Sequence, residues 1–392
     1  MNPTTHKDWA RLLRRPAWWE RWRGRGQGQG RSGQPPTRQT GAARSGGSAR
    51  LARSARRTLV VAGLVLLASH LLLLLALEGF APQLRDPEYG RKLAGLRQRL
   101  AEAAGDKPLV LVLGSSRVSM GLRPGVLPAD TPALVYNGSI IGSGPLLELL
   151  AVRRYWDDGI RPRVLVLEVW APFLKSDGPY LEEARIDVNR LAWADVAQLL
   201  PYSRDPQKLR HAWRQARLNP WYSHRYLILN RLSPAMLPWF QRRDFAWEPV
   251  DGWGWLPSNN VSPDPEARRQ RLELTRQHYQ YIFTDYTITP LADRALRDCI
   301  ATVQRLGVAV ALLQMPESSE FRQFYPPDMQ TRVNEYFHSL QTDFAVPLID
   351  ARTWNEDADL LDGFHLTRDG AIRFTQQFAQ KALPTLLREV RP

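Results

Sequence analysis

Three separated segments of this 392-residue chain carry side chains suited to a nucleophile, a base and an oxyanion site. Gly114-Ser115-Ser116-Arg117 follows an apolar run. A serine at a strand-to-helix turn can hold its hydroxyl clear of the chain, and the glycine permits the turn to be sharp. Asn137-Gly138-Ser139-Ile140-Ile141-Gly142-Ser143-Gly144 follows a second apolar run. Its glycines let backbone N–H groups come close to a developing oxyanion. Asp362 and His365 stand three apart in DLLDGFHLTRDGAIRF, residues 359–374, so on one helical turn they share a face. A serine hydroxyl needs a base to become nucleophilic at neutral pH, and the base needs an orienting acceptor. Ser116, His365 and Asp362 can supply those roles, with Ser115 as the rival hydroxyl.

Each segment alone is a weak signal. G-S-S is a common loop, Asn137 could simply brace a turn, and D-x-x-H pairs arise by chance. The joint pattern is stronger because each segment follows a predicted strand. LVLVLG (109–114), ALVYN (133–137), VLVLEV (164–169), VAVALLQ (308–314) and VPLID (346–350) are short runs rich in Val and Leu. Such runs suit parallel strands buried on both faces. Helical patterns occupy 85–106, 145–159, 290–307 and 370–390, the last bent or divided at Pro384. This alternation predicts an α/β sandwich with right-handed crossovers. Ligands in such a fold bind outside the carboxyl ends of the strands, where all three segments fall. Residues 175–289 break the pattern and hold seven of the 14 Trp. They read as an inserted, mostly helical subdomain, with DGWGWLPSNN (251–260) as a loop. Its Trp residues either anchor a core or stack on sugar rings.

At these residues the chain resembles a known family. LVLGSSRVSMGLRP (111–124), VYNGSIIGSG (135–144) and LDGFHLTRDGAIRF (361–374) look like blocks I, II and V of the SGNH (GDSL-type) hydrolase superfamily. The resemblance implies a flavodoxin-like three-layer α/β/α fold with a mainly parallel sheet. It makes Ser116 the nucleophile, His365 the base and Asp362 its partner, with Ser115 where the family usually has Asp. The N–H groups of Ser116 and Gly142 would form the oxyanion hole. The family's block III carries an Asn donor after the third strand, whereas this chain has VLVLEVWAPFL (164–174) and no Asn there. That departure, with an N-terminal anchor, looks most like the envelope-associated branch that assists O-acetylation of polysaccharides or D-alanyl transfer. The implied activity is esterase or acyltransferase chemistry on acyl esters of envelope carbohydrate, beside a membrane acyltransferase partner. The missing Asn leaves room for the alternative, a catalytically silent scaffold or polysaccharide-binding component of an export complex.

Further residues have two readings each. Arg117 holds an anionic substrate group or braces its turn. Glu168 faces the site or pairs with an arginine. Asn137 contacts substrate or caps a turn. Glu335 and His338 repeat the D/E-x-x-H spacing within a surface helix pattern. No cofactor or metal is expected: the seven His are scattered, Cys299 is the lone cysteine, and no H-E-x-x-H occurs.

Charge and hydropathy place the domain. The formal net charge is +14, but residues 1–57 hold 14 Lys/Arg against Asp8 and Glu20. The remainder is close to neutral, so a nucleic-acid-binding role is not expected; the arm reads as solvated and largely disordered. TLVVAGLVLLASHLLLLLAL (58–77) is 20 residues without a formal charge. As a helix it spans about 30 Å, the hydrocarbon thickness of a bilayer. Its basic flank should stay cytoplasmic, which puts the following domain outside the inner membrane as a single-pass, anchored protein.

Overall fold

The computed structural model describes residues 45–80, 82–103, 107–175, 182, 186–258 and 264–388. The basic arm expected to be disordered therefore lies, up to residue 44, outside the described residues. Two compact units divide the chain, 1–64 and 65–392.

The helix Ser45–Leu75 begins well before the uncharged run. Residues 45–57, read as part of the largely disordered arm, are helical instead. The stretch SARLARSARR is rich in Ala, Leu and Arg, all strong helix formers, and it runs without a breaker into the apolar segment. Ala52–Gly79 is long and apolar enough to cross a membrane.

In the second unit, five parallel strands form one sheet in the order β2-β1-β3-β4-β5. They are β1 Leu109–Leu113, β2 Leu134–Asn137, β3 Val164–Glu168, β4 Ala309–Gln314 and β5 Leu348–Asp350. All five expected runs are strands, within two residues at each end. Strand alternation separates the side chains by type. Leu109, Leu111, Leu113, Leu165 and Leu167 enter one apolar core. Val110, Val112, Val164 and Val166 enter another, on the opposite face. The Leu-lined core takes side chains from Pro87–Glu102, Pro145–Asp157, Pro290–Arg305 and Pro327–Phe344. The Val-lined core takes Val118 of the short helix Ser116–Gly121 and Phe374 of Arg368–Gln377. Small β-branched residues on that face let these two helices seat closely beside each other.

Between β3 and Pro290–Arg305 the described chain is mostly short helices, the longest being Pro206–Leu218 and Pro265–Phe283. The loop 251–258 returns to the sheet. Trp253 carbonyl accepts the Asn137 N–H at 3.2 Å, and Leu256 N–H reaches the Ser119 carbonyl at 2.9 Å. Gly254 has φ +79°, and a Cβ there would stand 2.0 Å from the Asn137 carbonyl oxygen. No other residue type fits.

A buried ion cluster ties these layers together. Asp86 caps Pro87–Glu102, accepting from Tyr89 N–H. Its carboxylate also takes Arg154 at 2.8 Å and Arg190 at 2.5 Å. Burial pushes its pKa upward, but the charges of Arg190 and then Arg154 outweigh this and hold it at about 2. Arg154 keeps Asp195 and Arg190 keeps Glu88 as second partners, so Asp86→Asn should cost about 2 kcal/mol rather than a whole buried pair. The folded pKa lies below the ordinary 3.8. The stabilisation is therefore complete above that value and is lost as pH falls through about 2. Denaturant unfolding of wild type and Asp86→Asn should differ most near neutrality and converge toward pH 2.

Candidate active site

The turn after β1 is shaped by space rather than by unusual backbone. A Cβ on Gly114 would stand 2.6 Å from both the Glu168 carboxylate and Val118 Cγ2. Glycine is needed because β3 and the next helix press against it. Ser115 then caps Ser116–Gly121, its hydroxyl accepting the Arg117 N–H at 3.1 Å. Ser115 is buried and its N–H donates to Glu168 Oε2 at 2.6 Å. The rival hydroxyl is thus occupied in structure. Ser116 is the first residue of the helix, where an N–H has no intrahelical acceptor.

The Ser116 Oγ lies 2.8 Å from His365 Nε2. On the far side of the ring, Nδ1 lies 2.8 Å from Asp362 Oδ2. A carboxylate only accepts, so Nδ1 carries the ring proton in the neutral imidazole and Nε2 offers its lone pair to the serine. Asp362 Oδ1 accepts the backbone N–H groups of His365 at 2.9 Å and Phe364 at 3.3 Å. Burial works to raise the Asp362 pKa. The His365 charge and these hydrogen bonds prevail and hold it below the usual carboxylate value.

The expectation that Asp362 and His365 share a helical face is corrected here. They sit in a non-helical turn that ends before Arg368–Gln377. The aspartate closes the turn through its own side chain, as Asx turns do. Gly363, at φ +98°, supplies the left-handed residue between the pair. Leu361 N–H to His365 carbonyl, 2.8 Å, and a Leu360–Leu366 bridge close the loop at its base.

The segment after β2 lies beside the Gly114–Ser116 turn. Ile140 N–H donates to the Gly114 carbonyl at 2.9 Å, and Ile141 N–H to Glu88 Oε1 at 2.8 Å. Gly142 follows with φ +75°. Lys92, fully buried, reaches Ser119 Oγ at 2.9 Å and Ser139 Oγ at 3.5 Å; burial lowers its pKa to about 8.

Three residues considered for substrate contact are buried below the site. Asn137 donates to the carbonyls of Val118, Ser119 and Leu122 and accepts from Ser139. It braces the helix that begins at Ser116. Glu168 holds Ser115 N–H and lies 3.5 Å from Arg117. Arg117 is 1% exposed and donates to the Met315 carbonyl at 2.9 Å and Glu317 at 3.3 Å. Glu317 also accepts from Trp170 Nε1 and Tyr325 hydroxyl at 2.9 and 2.7 Å. Glu335 and His338 lie on the exposed face of Pro327–Phe344, away from these contacts.

An aromatic wall beside the base was not anticipated. Phe364 packs against His365 with ring centres 4.3 Å apart and planes tilted by 45°. Trp170, two residues past Glu168, contacts Phe364, and so does Tyr279 from Pro265–Phe283. Phe321 completes the group. The Trp in VWAPF and the Phe in DGFH were the available signals. Tyr279 had none, because its helix belongs to the irregular stretch.

Neither a known protein-family model nor a curated protein sequence matches the chain.

Arg117 neutralises two buried carboxylates directly under the nucleophile turn. Arg117→Met keeps the side-chain volume but leaves both unpaired, and should destabilise the protein by about 3–5 kcal/mol. Denaturant titration measures this; a loss under 1 kcal/mol would mean that the carboxylates find other partners.

Proposed function

We propose that this protein is a membrane-anchored serine esterase or acyltransferase of the SGNH type, acting on acyl esters outside the inner membrane. The observation that carries this reading is the relay Ser116–His365–Asp362, with contacts of 2.8 Å on both sides of one imidazole. The strand order β2-β1-β3-β4-β5 is the flavodoxin-like order. With helices contributing to apolar cores on both faces, it supports a three-layer sandwich of the kind that family uses.

In the proposed reaction, His365 Nε2 takes the Ser116 proton as Oγ attacks the ester carbonyl. Asp362 keeps the ring oriented and stabilises the imidazolium. The N–H groups of Ser116 and Gly142 bind the oxyanion. Collapse expels the alcohol, which leaves with the proton from His365, and an acyl-serine remains. His365 then activates water or a sugar hydroxyl, and its attack returns the serine. Envelope carbohydrate is the preferred acceptor or donor, with a membrane acyltransferase as the supplying partner. The helix Ala52–Gly79, the one among the described residues long and apolar enough to cross a membrane, with its basic N-terminal flank supports an N-terminus in the cytoplasm.

One observation favours the silent-scaffold reading. The position of the family's third oxyanion donor is taken by the stretch at Val169 and Trp170, and the Trp170 Nε1–H is already committed to Glu317. Two N–H donors would then have to suffice, and loss of one donor typically costs about 10²–10³ in kcat.

A fluorophosphonate probe separates these readings. The wild-type chain and Ser115→Ala should label; Ser116→Ala should not. Asp362→Asn should slow acyl-ester turnover by roughly 10⁴ with the fold intact. A wild-type chain that neither labels nor cleaves any short acyl ester belongs to the scaffold reading.

A further inference from the structure

Exposed large apolar side chains are not spread over the domain. Among the described residues after 80, six are more than 60% exposed: Leu218, Tyr222, Leu232, Met236, Trp239 and Phe240. All fall within 218–240. Elsewhere after residue 80 the most exposed is Leu274, at 54%. The same stretch is unusual in charge. Residues 206–243 carry eight Lys/Arg and no Asp or Glu, whereas the rest of 58–392 has 31 basic and 37 acidic residues.

The position of this stretch is fixed by contacts to the membrane-spanning helix. Trp221 Nε1 donates to Ser69 Oγ at 3.3 Å. Arg217 holds Glu78 with bonds of 2.8 and 3.1 Å, and Arg85 holds the other oxygen of that carboxylate at 2.6 Å. Ser69 lies inside Ala52–Gly79, about 15 Å along the helix from its end. A side chain that touches Ser69 is at the level of the apolar span, not above it. The helix face at Ser69, His70, Leu73 and Leu74 is partly covered, while Leu71, Leu72 and Leu75 stay open.

We propose that 206–243 is a lipid-docking surface that seats the domain on the anionic bilayer face at the Gly79 end of the spanning helix. Exposed Trp, Tyr and Phe with interleaved Arg are the composition of an interfacial segment: rings enter the headgroup and acyl boundary, and guanidinium groups meet lipid phosphates. Each basic residue near an anionic surface adds about 1 kcal/mol. The proposal rests on the spanning helix and is independent of the serine chemistry. It also gives the Trp-rich stretch a role other than stacking on sugars. A lipid occupant is favoured over a protein or carbohydrate one because the patch is continuous with a segment already at membrane depth.

The test uses the full chain in nanodiscs of phosphatidylethanolamine and phosphatidylglycerol. Cys299 is buried and can be left in place. Spin labels at Met236→Cys and Phe240→Cys are compared with Leu72→Cys on the span and Leu274→Cys on the domain surface. Accessibility to oxygen and to a water-soluble nickel chelate is read by EPR. Labels at 236 and 240 should match Leu72→Cys, with an oxygen-to-nickel ratio several-fold above that of Leu274→Cys. The ratio should fall in discs of phosphatidylcholine alone. Labels that behave like Leu274→Cys overturn the proposal, as do labels shielded from both reagents, which would mean protein cover such as a second copy. An equal ratio in both disc types overturns the anionic assignment. If Leu72→Cys itself reads as aqueous, the span fails and the proposal with it, whatever the probe finds at Ser116.

Discussion

The Ser116–His365 hydrogen bond joins residues 249 positions apart, and it has to be made across the sheet. β1 carries the serine and β5 precedes the histidine, with β3 and β4 between them. At about 4.8 Å per strand, the two carboxyl ends are roughly 14 Å apart. The base therefore cannot hang from its own strand end. The segment after Asp350 crosses that gap, and helix packing on the Val-lined face fixes where it arrives. Arg123 N–H donates to Thr375 Oγ1 at 2.8 Å, and a Cβ on Gly121 would come within 3.0 Å of Leu366. Val118 and Phe374 share one core. The helix that begins at Ser116 and the one that follows His365 are thus a single packed unit, and the Ser116–His365 distance is a consequence of their contact.

The same constraint explains the burial of charge beneath the nucleophile. A turn that must be immobile cannot rely on solvent-exposed loops. Its N–H and carbonyl groups go to Glu168, to Asn137 and, through Ile140, to the neighbouring loop. Glu168 is costly in such a place and its pKa is raised by burial, against the pull of Arg117 and the Ser115 N–H. Among the described residues, Glu168 Oε1, Glu317 Oε2 and Arg117 Nε have no hydrogen-bond partner. The cluster is held more by net attraction than by full saturation. An apolar replacement could match its stability, but it could not accept the Ser115 N–H that aims the turn.

Much of this was legible in the sequence, and the limits have physical causes. The strands were readable because runs of Val and Leu with turn residues at their ends leave few alternatives. The convergence of Ser116, Asp362 and His365 was readable because a parallel sheet sends every strand's carboxyl end to one rim. A spacing of three, however, suits both a helical face and an Asx turn, and only Gly363 between the pair hinted at the turn. Arg117, Glu168 and Asn137 looked equally apt for substrate and for support. Asn137 went to the carbonyls of Val118, Ser119 and Leu122. The fate of Arg117 and Glu168 was decided with Glu317, Trp170 and Tyr325, and Glu317 and Tyr325 lie far from them along the chain. Local sequence carries no trace of such partners. The loop 251–258 was read as a loop and is one, yet its packing on Asn137 and Ser119 depended on a glycine whose necessity appears only in three dimensions.

Charge distribution links the site to the membrane. The chain's net +14 resolves into a strongly basic arm before the span, a basic stretch at 206–243, and a remainder that is slightly acidic. On the proposed topology the arm alone suffices to hold the N-terminus on one side, since topology responds to basic residues near a span in short segments and long folded domains cross largely regardless of charge. The second basic stretch adds nothing to that decision. On the proposed topology it lies on the opposite side, where the positive-inside bias would disfavour it. Arg217 and Arg242 pair with Glu78 and Asp244; the six further cations call for a different cause, and the proposed proximity to lipid phosphate supplies one. A domain held by both a helix and a surface loses rotational freedom about the helix axis. On that proposal the rim that carries Ser116 and His365 would keep a constant attitude to the bilayer, as the proposed acyl transfer from a membrane partner would require.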